Sequence, residues 1–81
     1  MRLVLFMRDQ CHLCDLAHGV LAEARVGDFE SIWIDGDPAL EARYGIRVPV
    51  LRDADSGREI DWPFDAAAVA RLHGPAESGM A

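Results

Sequence analysis

The sequence contains two cysteines, Cys11 and Cys14, separated by His12 and Leu13. Random placement of two cysteines would give that spacing roughly one time in forty. Two thiols so spaced can exchange with another disulfide, close a structural disulfide, or offer two sulfurs to a metal. As a structural staple the bond would close a very small loop, worth only about 2 kcal/mol. As part of a metal site, Cys11, Cys14 and His18 share one helical face. There is no second cysteine pair, however, and a closed site needs a fourth ligand. Exchange asks for less: one thiolate that attacks and a second thiol within reach of the product.

The flanking segments decide how the pair is presented. Leu3 to Met7 is a continuous apolar run that ends in Arg8-Asp9-Gln10, which reads as a buried strand followed by a loop. From Leu13 onward, Leu16, Ala17, Val20, Leu21 and Ala24 recur with helical periodicity, giving one apolar stripe that Gly27 is expected to stop. Cys11 therefore opens a helix, where unpaired backbone N–H groups and the helix dipole favour a thiolate, and it is the expected nucleophile. Cys14 lies one turn along, beside the stripe, and is expected to be the more buried, resolving thiol. Arg8 is expected to favour the thiolate, Asp9 and Asp15 to oppose it. A protonated His12 would favour it too. His18 and His73 read as solvent-facing.

Phe29 to Ile34 reads as a second strand with Ile32 and Ile34 on one face, and strand, helix, strand implies a right-handed parallel unit. Asp37 and Pro38 have the residue types of a helix start, and Gly45 those of its end. Val48 to Arg52 and Arg58 to Trp62 flank Asp53-Ala54-Asp55-Ser56-Gly57, whose composition is that of a hairpin loop. Asp65 can cap a last helix through Ala66, Val69 and Leu72, with Phe64 and Val69 as a hydrophobic staple and Gly74-Pro75 as the stop. The order βαβαββα accounts for residues 1–75 as one α/β domain, with 76–81 expected to be a disordered tail. Burial is expected to be densest at Leu3, Leu5, Leu16, Val20, Ile32, Ile34, Val50 and Leu51.

Composition narrows the partners. Fourteen acidic residues against eight basic ones give a net charge of −6, which disfavours a phosphate-tracking surface, so no nucleic-acid partner is expected. All eight basic residues are arginine, which removes Schiff-base chemistry. The apolar opening is cut short by Arg8-Asp9, too early for a signal-peptide core, and nothing reaches the length of a membrane span. A cytoplasmic monomer is expected, in a compartment where disulfides are transient and catalytic.

Cys11-His12-Leu13-Cys14 behind a short first strand, followed by Tyr44-Gly45-Ile46-Arg47-Val48-Pro49-Val50, resembles the thioredoxin superfamily and within it the glutaredoxin-like branch. The resemblance covers nearly the whole chain before the tail. It implies a thioredoxin-like fold: a four-stranded mixed sheet of order 2-1-3-4, with helices on both faces. It also implies a cis Val48–Pro49 bond beside the dithiol, and a Val48 backbone that pairs with an extended substrate. A thiol-disulfide oxidoreductase or electron carrier is implied, with protein or small-molecule disulfides as substrates and a thiol as reductant. The runner-up, a metal-binding module similar to heavy-metal-associated domains, would run βαββαβ and lack the Val-Pro element. A third reading is an interaction domain that keeps fold and dithiol without turnover.

The departures bear on glutathione. Glutaredoxins usually carry Pro-Tyr between the cysteines, a basic residue where Asp15 stands, and Gly-Gly-Asp after the fourth strand. Here that last place reads Trp62-Pro63-Phe64-Asp65, so only Asp65 matches. Arg8 and Arg47 are the cations available for the two carboxylates of glutathione. With a proline and two bulky aromatics in place of the glycines, weak glutathione binding and no tightly bound cofactor are expected.

Overall fold

A computed structural model describes residues 2–73; the expected tail and the Gly74-Pro75 stop lie outside them. The elements are β1 (Leu3–Met7), α1 (His12–Glu23), β2 (Glu30–Trp33), α2 (Pro38–Tyr44), β3 (Val50–Asp53), β4 (Glu59–Asp61) and α3 (Ala66–His73). No helix among the described residues is long and apolar enough to cross a membrane.

The four strands form one sheet in the order β2-β1-β3-β4, as expected. β1 pairs parallel with β2, with Phe6 opposite Ile32, and antiparallel with β3, with Phe6 opposite Val50. β3 continues antiparallel to β4, with Leu51 opposite Ile60. Because side chains alternate across a strand, β1 is buried on both faces and divides two cores. Leu3, Leu5 and Met7 pack with Cys14, Ala17 and Leu21 of α1 and with Val69 and Leu72 of α3. Val4 and Phe6 pack on the other face with Ile34, Val50 and Tyr44 of α2, and the Phe6 and Tyr44 rings stack at 4.2 Å. The order βαβαββα differs from that of heavy-metal-associated domains, so the fold disfavours the runner-up.

Three sequence expectations need correction. Leu16 is 46% exposed, and Val20 and Ile32 are only partly buried. The line of α1 that meets the sheet is Cys14, Ala17 and Leu21, all at 0% exposure, so small residues let the helix approach closely and Leu13 and Leu16 fall on its flank. Gly27 does not stop α1. The helix caps at Ala24, with Arg25 in the left-handed region at φ 62° and with Arg25 N–H and Val26 N–H donating to the carbonyls of Ala22 and Leu21, a Schellman arrangement without glycine. Gly45 does end α2, but at φ −50°, so left-handed freedom is not its role. A Cβ there would collide with the Glu41 carbonyl oxygen and approach the Arg8 guanidinium at 3.6 Å.

The other caps follow the sequence. Asp37 accepts from the N–H groups of Ala39 and Leu40, with Pro38 behind it at the first helical position. Asp53, the one buried charged side chain described, ties the hairpin by accepting from Asp55 N–H and the Ser56 hydroxyl.

Candidate active site

Gln10, in the left-handed region at φ 54°, turns the chain between β1 and α1. This costs a non-glycine residue about 1 kcal/mol and delivers Cys11 to the helix start. A second tie fixes the same loop: Asp9 N–H donates to the Asp35 carboxylate at 2.7 Å. Cys11 is the N-cap of α1, and its Sγ accepts from Cys14 N–H at 3.1 Å. A cap acceptor carrying negative charge is favoured at a helix N-terminus, which is the setting that stabilises a thiolate. The two cysteines lie close enough to be a disulfide, with a Cα–Cα distance of 5.2 Å. Cys11 is partly exposed while Cys14 is fully buried among Leu5, Met7 and Ala17, the asymmetry expected from the sequence.

The remaining candidate residues fall into two groups. His12 is exposed at the first position of α1. Continuing the β1–β3 register beyond Phe6 and Val50 sets Pro49 opposite Met7, so the segment from Arg47 to Pro49 shares a rim of the sheet with the loop that carries Cys11. Pro49 is buried, and the Val48–Pro49 and Trp62–Pro63 bonds are both cis; the second was not anticipated. Pro49 carbonyl accepts from Trp62 N–H at 3.1 Å, which draws the residues ahead of α3 to the same rim. Asp65 spends one carboxylate oxygen on capping α3, accepting from Ala68 N–H at 2.8 Å. A cavity of about 290 Å³ lies beside it, lined by Pro63, Phe64, Asp65 and Ala68.

Both arginines are paired with acidic side chains of the chain itself. Arg8 emerges on the α2 face, away from the core that holds Cys14. It donates to Glu41 at 2.8 Å and to Gly45 carbonyl at 3.0 Å, with Asp35 at 3.6 Å. Its charge is spent on these partners rather than on the Cys11 thiolate. The alternation of β1 is the physical reason, since a residue in register with Val4 and Phe6 faces α2. Arg47 donates to both oxygens of Asp61, through Nε at 3.1 Å and Nη2 at 2.8 Å, and to Glu59 at 2.8 Å. Hydrogen bonds donated to these two carboxylates, Asp61 first, raise its pKa above the usual arginine value.

Glu59 and its neighbours form a network that the sequence reading missed. Glu59 accepts from Tyr44 hydroxyl at 2.6 Å, Arg47 at 2.8 Å and Arg52 at 2.9 Å, with Arg43 at 3.7 Å. Burial works against its charge, but the hydrogen bonds from Tyr44, Arg47 and Arg52 prevail and hold it at about 2. Burial and the bond to Glu59 in turn push the Tyr44 hydroxyl up. Arg52 directly across the strands from Glu59, and Asp61 two residues on, were the available signals.

His18 is half-buried, not solvent-facing. Its Nε2 lies 3.4 Å from the Met7 sulfur and its ring 5.5 Å from that of Phe29. No group of three or more His, Cys, Asp or Glu side chains among the described residues is placed to hold a metal ion.

Comparison with known proteins agrees with this architecture. Residues 2–72 match the family model described as glutaredoxin-like domain (DUF836). Among solved structures, the X-ray structure of target protein XcR50 from X. campestris is 61% identical, covering 83% of this chain and 88% of that one at a TM-score of 0.78. The solution structure of protein Ne2328 from Nitrosomonas europaea is 30% identical, covering 85% and 86% at a TM-score of 0.73. Thioredoxin 1 from Thermosipho africanus is 18% identical over 90% of both chains, with a TM-score of 0.60, and shares the fold. The search of curated proteins returned no match. With the family model spanning nearly all the described residues, the chain belongs to the glutaredoxin-like domain family, on a thioredoxin-like fold.

Proposed function

We propose that this protein is a thiol-disulfide oxidoreductase or electron carrier that reduces substrate disulfides with the Cys11–Cys14 dithiol. The observation that carries the reading is the cap itself: a half-exposed Cys11 Sγ accepting from Cys14 N–H at a helix start, in front of a fully buried Cys14. The Cys11 thiolate attacks one sulfur of the substrate, the substrate S–S bond breaks, and the departing thiolate takes a proton. Cys14, one helical turn away, then loses its proton and attacks Cys11 Sγ. The Cys11–Cys14 bond forms and the second substrate thiol leaves. Two electrons and two protons pass from the dithiol to the substrate, and an external thiol restores the dithiol.

The substrate-facing groups are those on the shared rim. Val48 N–H donates to Tyr44 carbonyl at 3.1 Å, so the carbonyl is the Val48 group that an extended substrate would meet. His12 is placed beside the nucleophile, and Asp65 lies at the cavity in front of α3. Arg8 and Arg47 are engaged by acidic side chains, which supports a reductant other than glutathione. The cytoplasm is a compartment that would keep such a pair reduced.

The test is disulfide reduction driven in parallel by glutathione with its reductase and by a thioredoxin reductase system. The reading expects turnover in the second system, lost in Cys11→Ser, and a trapped mixed disulfide in Cys14→Ser. If neither system drives turnover and Cys14→Ser traps nothing, the reading is wrong.

A further inference from the structure

Arg47 is the last residue before Val48–Pro49, on the rim where a substrate must lie, and it is the cation that an anionic thiol would need. Most of its guanidinium is already engaged. Asp61 takes it side-on through Nε and Nη2, Glu59 takes the other proton of Nη2, and Arg43 carbonyl lies 3.5 Å from Nη1. The Asp61 contact is the bidentate geometry in which arginine receives a ligand carboxylate.

The two acids differ in role. The Glu59 side chain is 14% exposed and is bound by Tyr44 and Arg52 as well, so it belongs to the framework. The Asp61 side chain is 47% exposed, and among the described residues its carboxylate is hydrogen-bonded by Arg47 alone. It stands opposite Val50, the residue after Pro49.

We propose that Asp61 is a specificity-determining residue. Its carboxylate fills the place on Arg47 that a substrate carboxylate would take, so the dithiol acts on neutral disulfides in preference to glutathione disulfide. A glutathione carboxylate arriving at Arg47 would have to displace a partner tethered in the same chain, whose effective concentration is high. It would then sit beside the displaced Asp61, with like charges adjacent. A disulfide without carboxylates meets neither cost. Asp61 acts through Arg47 and is a positioning residue.

The substrate preference rests on the exchange reading above, but the occupancy of Arg47 does not, and two measurements separate them. The first is the ratio of second-order rates of the reduced protein with glutathione disulfide and with hydroxyethyl disulfide. Asp61→Asn is expected to raise that ratio about tenfold, the effect of freeing one bidentate charge-assisted contact. The Arg47→Ala, Asp61→Asn double variant is expected to lose the gain, and about 0.5 M salt to shrink it. The second is calorimetric titration of the oxidised protein with S-methylglutathione, which requires no turnover; Asp61→Asn is expected to bind it more tightly and the double variant not. An unchanged ratio with unchanged binding in Asp61→Asn, or a gain that survives the loss of Arg47, overturns the proposal. Failure of every disulfide to react counts against the exchange reading, while the titration still decides whether Asp61 occupies Arg47.

Discussion

Substituting Glu59 by Gln keeps the shape of the side chain and removes the charge on which Tyr44, Arg47 and Arg52 converge. The group falls from an ordinary value of 4.5 to about 2 in the folded protein. At about 1.4 kcal/mol per tenfold change in proton affinity, this sets a ceiling of about 3 kcal/mol. Water reaches the arginines around it, since Arg47 and Arg52 are 32% and 30% exposed, and screening brings the expected contribution to about 1–2 kcal/mol. The direction follows from the depressed pKa: the contribution is present above the unfolded-state value and is lost as pH falls from 4.5 towards 2. Urea denaturation followed by far-UV circular dichroism, at steps from pH 7 to pH 2.5, should therefore show Glu59→Gln less stable than the parent by about 1–2 kcal/mol at neutral pH. The gap should narrow to about a quarter of its neutral value at the acid end. Other carboxylates titrate in both proteins, so the difference isolates this one. A difference that stays constant with pH, or a variant as stable as the parent at pH 7, would refute the network account.

Two further outcomes are expected. In matched variants retaining a single cysteine, iodoacetamide should modify Cys11 at least about tenfold faster than Cys14 at neutral pH, because Cys11 is a partly exposed helix cap and Cys14 is fully buried; a faster Cys14 would reverse the assigned roles. Asp65→Ala should cost about 1 kcal/mol in the same urea assay by leaving Ala68 N–H without its cap; no change in stability would mean that the carboxylate serves something other than the helix.

The sequence disclosed those parts of the fold whose causes are local. The apolar run Leu3–Met7 and the acceptor at Asp37 before Pro38 each fix their element through a few neighbours and stand where the pattern put them; the hairpin is also where it was expected, though β3 runs Val50–Asp53 rather than Val48–Arg52, so its loop begins at Ala54. The position of the cysteines was legible for the same reason, since a helix start after a buried strand is a local event. What was not legible depended on which face of an element meets which partner. An α1 stripe broad enough to include Leu13 and Leu16 does not say that Cys14, Ala17 and Leu21 are the line in contact, because that is settled by how closely the helix approaches β1. Arg8 looked like a cation beside the dithiol because it precedes Cys11 by three residues, and Arg47 because it adjoins the Val48-Pro49 motif, whereas strand alternation and cross-strand pairing deliver them to Glu41 and Asp61. The acids that take them come from α2 and β4, 33 and 14 residues away along the chain. A cation near a cysteine or a family motif in sequence is therefore a poor guide to substrate charge until the sheet has placed its carboxylates. With Asp61 in the role proposed for it, those carboxylates are what would separate a shared fold and dithiol from a shared preference for glutathione.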